Sequence, residues 1–86
     1  MVDSVFKAIA DPHRRKILQL LKRSSMSVTE IQKHFTFTGA TLSHHLDALK
    51  RANLVVTERR GQFIHYSLNT SVLEEVLSAF YSFFSS

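Results

Sequence analysis

From Thr38 to Asn53 the chain reads TGATLSHHLDALKRAN, and the period of its apolar residues limits what it can form. Leu42, Leu46 and Leu49, with Ala52, recur at helical spacing and make one buried stripe. The opposite stripe carries Ala40, Ser43, His44, Asp47 and Arg51, so it is polar, small near its start and cationic towards its end. Thr38 is placed to cap the helix by accepting from a free N–H of the first turn. Asn53 stands where the chain leaves it, and Asn is second only to Gly in adopting the left-handed conformation needed there. A helix over 38–52 with one buried side and a non-bulky front suits the major groove of a DNA duplex. An ordinary solvated helix face has the same pattern, so the neighbouring segments must decide.

Upstream, Met26-Ser27-Val28-Thr29-Glu30-Ile31 is a helix start: Ser27 and Glu30 have capping-box spacing, and Met26 and Ile31 occupy the staple positions. The spacing predicts a short helix that ends near Phe35 and buries Val28, Ile31 and Phe35. Only Thr36 and Phe37 then separate it from Thr38, which makes a helix-turn-helix. Thr36 is β-branched and resists the left-handed conformation such turns often use, a local conflict. Downstream of Asn53 the period falls from 3.6 to 2. Leu54 and Val56 alternate with Val55 and Thr57, and Ile64, Tyr66 and Leu68 alternate with Phe63, His65 and Ser67. The polar turn Glu58-Arg59-Arg60-Gly61-Gln62 lies between them, which predicts a half-buried β-hairpin over 54–69 with a cationic tip. Directly after a helix-turn-helix, such a hairpin reads as a wing lying along a phosphate backbone.

Two further helices precede this unit. Val2, Val5, Phe6 and Ile9 fit a short amphipathic helix over 2–10, and Asp11-Pro12 restarts the chain with Asp as cap and Pro at the first helical position. The second helix runs to about Lys22 with Ile17, Leu18 and Leu21 inward, and Arg23-Ser24-Ser25 forms a loop. After the hairpin, Ser71-Val72-Leu73-Glu74 has capping-box spacing and opens a last helix to about Phe84. Its apolar residues cover well over half the circumference, more than one small core can bury. A membrane-surface helix would carry Lys or Arg on its polar face, and this segment has none. A helix–helix dimer seam with the first helix fits better, using Val2, Val5, Phe6, Ile9, Val76, Leu77, Phe80, Phe83 and Phe84.

The predicted fold is therefore mainly α with a small β-hairpin, four helices before the hairpin and one after it, in one domain over 1–86. At 86 residues and 44% apolar composition there is room for one modest core. The absence of cysteine excludes disulfides, thiolate metal sites and cysteine nucleophiles. No apolar run approaches a membrane span and the start of the chain lacks a secretory pattern, so a cytoplasmic location is expected. Eleven Lys and Arg stand against seven Asp and Glu, a net charge of +4, with every cation in residues 1–69. A basic body suits a polyanionic partner.

Three segments together resemble a known family. Asp11-Pro12-His13-Arg14-Arg15-Lys16-Ile17-Leu18, Ser43-His44-His45-Leu46, and Arg59 to Leu68 (RRGQFIHYSL) are similar to the ArsR family of winged-helix repressors. The continuation Asn69-Thr70-Ser71-Val72-Leu73 resembles its SdpR-like autorepressor branch more than its metal sensors. The resemblance implies a homodimer built on the first and last helices, the helix over 38–52 in the major groove and the hairpin as wing. It also implies release through a protein partner, a membrane-associated anti-repressor. This chain departs from the family at His13, where Thr is common, at Gly39-Ala40, where a longer polar residue and Pro are common, and at Asn53, where Gly is common.

The chemistry follows. Lys16, Lys50, Arg51, Arg59 and Arg60 are candidates for phosphate or minor-groove contact. Thr41, Ser43 and His44 are placed to probe base edges, with His44 donating to guanine or accepting from adenine according to tautomer. Thr38, Gly39 and Ala40 at the helix start and Gln62 at the hairpin tip complete the DNA-contact set. Metal sensing, the family's best-known activity, needs cysteines or an Asp/His/Glu set on the last helix, and neither is here. The five histidines contain no i,i+4 pair, and His44 and His45 point about 100° apart around the axis. No metal and no cofactor is expected, and His45 reads as a satisfied, half-buried histidine. Ser43, His44 and Tyr66 do not make an enzyme, which would need a base, an orienter and an oxyanion site in a pocket. The reading is a homodimeric repressor of operator DNA. The alternatives are a metal-responsive repressor of the same family and a winged-helix protein–protein module that binds no DNA.

Overall fold

In the computed structural model, residues 2–85 are described, the side chain of Val2 excepted, so the dimer-seam expectation for Val2 lies outside the described residues. Helix α1 spans Val2–Ile9 and α2 Pro12–Arg23; a two-residue strand β1, Met26–Ser27, precedes α3, Val28–Gln32. Helix α4 spans Gly39–Arg51, strands β2 and β3 span Val55–Arg60 and Phe63–Leu68, and α5 spans Thr70–Ser85. The three strands form one antiparallel sheet with β3 in the centre.

The helix starts follow the local chemistry. The Asp11 carboxylate accepts from the N–H of His13 at 2.8 Å and of Arg14 at 3.2 Å, with Pro12 at the first helical position of α2. Burial pushes the Asp11 carboxyl upward, but the two backbone N–H donors outweigh it and hold the pKa below the usual value. At α3 the capping box closes: Ser27 N–H donates to Glu30 Oε1 at 2.8 Å and Glu30 N–H to Ser27 Oγ at 3.2 Å. That box holds the Glu30 carboxyl below its usual range. Thr38 caps α4 by accepting from Thr41 N–H at 3.2 Å.

The end of α4 is a Schellman motif. Asn53 is left-handed at φ 59°, its N–H donates to Lys50 O at 3.0 Å, and Leu54 N–H donates to Leu49 O at 3.0 Å. Leu49 and Leu54, fully buried, supply the hydrophobic contact that accompanies this motif. Asn69 N–H then donates to Leu54 O at 2.9 Å and closes the base of the hairpin.

The core is one cluster in which Ile17, Ile31, Leu42, Leu46, Leu49 and Leu54 are sealed from solvent, joined by Val5, Ala8, Leu21, Ala52, Val55, Tyr66, Val72 and Val76. Each such aliphatic side chain contributes about 1.5–3 kcal/mol by leaving water. The stripe Leu42–Leu46–Leu49–Ala52 lies inside it as expected.

Several expectations are corrected. Helix α3 ends at Gln32, and two turn bonds, His34 N–H to Ile31 O and Phe35 N–H to Gln32 O, carry the chain on to a longer connector. The connector over 33–38 contains no residue with positive φ, so the conflict at Thr36 does not arise. Val28, expected inside, is 37% exposed because it opens the helix on its outer side. The hairpin turn is two residues, not five: Arg60 pairs with Phe63, Arg59 with Ile64, and Gly61 alone has positive φ (63°), the type II′ pattern. Only the hairpin base is buried; Val56, Phe63 and Ile64 are exposed. Helix α5 opens at Thr70, so Ser71 already lies inside its first turn and the Ser71–Glu74 box does not cap it. The short strand β1, whose Met26 and Ser27 pair with Tyr66 and His65, was not foreseen.

Candidate nucleic-acid interface

Helix α4 offers its front as a continuous exposed surface: Thr38, Gly39, Ala40, Thr41, Ser43, His44 and Asp47 are all exposed while Leu42, His45 and Leu46 behind them are buried. Side chains here are short, so the helix backbone approaches closely whatever it meets. The Thr38 hydroxyl both accepts from the Thr41 N–H and donates to Thr41 Oγ1 at 3.1 Å, which leaves the Thr41 hydroxyl proton free to donate outward. A Cβ at Gly39 would meet Gln32 Oε1 at 3.7 Å, ordinary contact, so Gly39 is not required by packing. Gln32 is fixed instead by donating through Nε2 to Phe37 O at 2.9 Å, which pins the connector just before Thr38.

An aromatic cluster seats the start of α4 on α2. The His13 ring meets Phe37 at 5.1 Å and His45 at 5.8 Å, and Phe35 stacks on Phe37 at 4.7 Å. Lys16 lies over the Phe35 ring at 5.2 Å and its ammonium donates to His34 O at 3.4 Å, so it braces the connector. His45 is buried rather than half-buried, and its Nδ1 has no hydrogen-bond partner. Burial holds its pKa below the usual value, opposed by the charge of Asp11 and assisted by Arg14, His13 and His44. It is a neutral packing residue, not a satisfied one.

The candidate residues are spread along α4 and the hairpin. Lys50 and Arg51 are exposed at the far end of α4, Lys50 about 9 Å along the axis from His44. Arg51 also lines a cleft against α1. In the hairpin, strand alternation puts Arg59 and Arg60 on opposite faces of β2. Arg60 Nε donates to Glu58 Oε1 at 2.6 Å, an exposed ion pair whose hydrogen bond holds the Glu58 carboxyl below its usual range. Arg59 Nε donates only to Gly61 O at 3.2 Å, and Gln62 is exposed beside it at the tip. The charge of the tip is therefore carried chiefly by Arg59.

At the opposite end, Phe6 and Phe80 meet edge-to-face at 5.4 Å, and Phe80 continues into Phe84 and Phe83. Leu77, Tyr81, Phe83 and Phe84 are widely exposed, Phe83 at 76%. Two members of the expected seam, Val5 and Val76, are buried in the chain's own core, and Ile9 is half-buried. Among the described residues no group of three or more His, Cys, Asp or Glu is placed to hold a metal, and no helix is long and apolar enough to cross a membrane.

A helix-turn-helix with an open second helix and an attached hairpin defines a winged-helix regulator. Residues 11–57 match the family described as bacterial regulatory protein, arsR family. The chain is 49% identical over 77 residues to the transcriptional repressor SdpR of Bacillus subtilis (strain 168), covering 90% of this chain and 86% of that one. It is 32% identical to an arsenical resistance operon repressor of Staphylococcus aureus, covering 88% of this chain and 73% of the relative. An ArsR-like transcriptional regulator from Rhodococcus sp. RHA1 superposes with a TM-score of 0.88 at 26% identity, covering 95% and 77% of the two chains. The chain belongs to the ArsR family, and is a transcriptional regulator rather than an enzyme.

Proposed function

We propose that this protein is a repressor that binds operator DNA as a homodimer, with α4 in the major groove and the β2–β3 hairpin as wing. The observation that carries the reading is the exposed, short-chained front of α4 from Thr38 to His44 above a sealed hydrophobic back. Membership of a repressor family supports it. Thr41, Ser43 and His44 read bases or nearby phosphates, Thr38, Gly39 and Ala40 allow close approach, and Arg59 with Gln62 tracks the backbone. Arg60 contributes once Glu58 releases it. Lys50 and Arg51, exposed at the far end of the same helix, are placed for flanking phosphates.

The dimer seam is the aromatic face of α1 and α5: Phe6, Leu77, Phe80, Phe83 and Phe84, with Ile9 at its edge. Exposed apolar surface on this scale marks an interaction site. The seam encloses a groove of about 280 Å³ lined by Phe6, Val76, Ala79, Phe80 and Phe83. All residues of 1–86 serve this one DNA-binding unit, which acts in the cytoplasm. Release is assigned to a protein partner, a membrane-associated anti-repressor, rather than to a metal ion.

The test is titration onto duplex from upstream of the protein's own gene and onto random duplex, at two salt concentrations. His44→Ala should cost about 1–3 kcal/mol on the operator and much less on random DNA. Arg59→Ala should weaken both equally and lower the salt slope by about one unit per lost phosphate contact. Equal factors for the two variants on both duplexes would defeat this assignment.

A further inference from the structure

Three cations from three helices converge near the end of α4. Lys7 of α1, Arg14 of α2 and Arg51 of α4 line an open cleft of about 310 Å³, with Ser4 at its edge and Ala8, Ala48 and Ala52 among its walls. The three small alanine side chains let α1 and α4 approach without filling the space between their charged rims. Lys7 and Arg51 are exposed and have no ion-pair partner among the described residues. Arg14 is different: its Nη2 lies 3.9 Å from Asp11 Oδ2, a long contact, while its Nε is buried with no hydrogen-bond partner. That Nε is closed to solvent, so the Nη nitrogens are what Arg14 can offer an anion, and no carboxylate lines the cleft.

We propose that this cleft binds a small, doubly charged oxyanion of the phosphate class. Three positive charges around a polar rim match two negative ones, and the planar arginine fork pairs bidentately with tetrahedral oxyanions. The same chemistry could come from a free phosphate compound or from a DNA backbone. The cleft lies at the end of α4 about 18 Å along the axis from Gly39, which favours the free anion. A bound anion ties α1 to the end of α4, joining the dimer helix to the DNA-reading helix. The inference goes beyond the DNA-binding reading and does not require it.

The probe is inorganic phosphate, titrated calorimetrically into the full-length protein in chloride buffer of matched ionic strength, with thermal unfolding in parallel. One phosphate per chain and a rise in Tm beyond that given by chloride are expected. Lys7→Gln and Arg51→Gln, at exposed positions that do not hold the core, should each weaken phosphate binding about tenfold, the loss of one charge-assisted hydrogen bond. Arg14→Lys, which keeps the charge and removes the planar Nη pair, should weaken it as well. A Tm response equal to chloride, or phosphate binding indifferent to all three substitutions, would mean an adventitious ion only and would overturn the proposal. Loss of duplex affinity in Arg51→Gln without loss of phosphate binding would overturn it too, by placing Arg51 on DNA.

Discussion

The helix-turn-helix and α5 treat their apolar residues in opposite ways, and α5, with nine of its sixteen residues apolar, carries the larger share. In α4 every large apolar side chain, Leu42, Leu46 and Leu49, is sealed in the chain's own core. In α5 only Val72 and Val76 are, while Leu77, Phe80, Tyr81, Phe83 and Phe84 face outward. The first region buries its large apolar side chains within the chain; the second leaves most of them exposed. The difference lies in the pattern: three leucines on one stripe need one neighbour, whereas aromatics around most of a helix need two.

That contrast can be broken in graded ways. The largest effect should come from Leu46→Ala, which opens a cavity at a buried site and should lower unfolding free energy by about 2–5 kcal/mol in urea titration. Phe83→Ala, at a widely exposed site, should change the unfolding of the isolated chain by no more than about 0.5 kcal/mol. Equal losses would erase the distinction. Next, Leu77→Glu with Phe84→Glu should leave the helical spectrum intact but raise the dimer dissociation constant by about a hundredfold or more, close to 3 kcal/mol, in sedimentation equilibrium. A wild-type chain that sediments as a monomer at tens of micromolar would refute the seam. A smaller effect belongs to Asn53→Ala, which removes the short amide that eases the left-handed conformation and should cost about 1 kcal/mol.

The smallest is a slope. Burial depresses the folded pKa of His45, so below about pH 6.5 the unfolded chain takes up a proton that the folded one resists. Stability is then full above that pH and declines as pH falls through the depressed folded value. His45→Gln should flatten this part of the profile, and an unchanged slope would show that His45 does not couple folding to protons. Asp11, held low by its backbone donors, adds a separate loss in a more acid window, below its usual value of 3.8.

Much of this was legible beforehand because local chemistry decides it. Asp11-Pro12, the Ser27–Glu30 box, Thr38 and Asn53 each act within a few residues of themselves, so their geometry follows from sequence spacing. Some of the rest needed a partner from elsewhere in the chain. Strand β1 is two residues long and has no period to detect; only Tyr66 and His65 across the sheet make it a strand. Val5 and Val76 look like seam residues by helical spacing, yet they sit in the chain's own core. Arg60 looks like a free cation until the register places it on the same strand face as Glu58.

The Schellman turn at Asn53 has a consequence for how this scaffold changes over time. Because Leu54 N–H is tied to Leu49 O, and Asn69 N–H to Leu54 O, the reading helix and the hairpin leave the core as one piece. Their mutual angle is an inherited constant, closed to adjustment by substitutions at the tip or along the front. New target preferences must then come from exchanging side chains on a fixed frame, at Ala40, Thr41, Ser43 and His44, or from changing how two frames are spaced. Those four positions are exposed and stand outside the core, so exchanging them leaves the frame as it is.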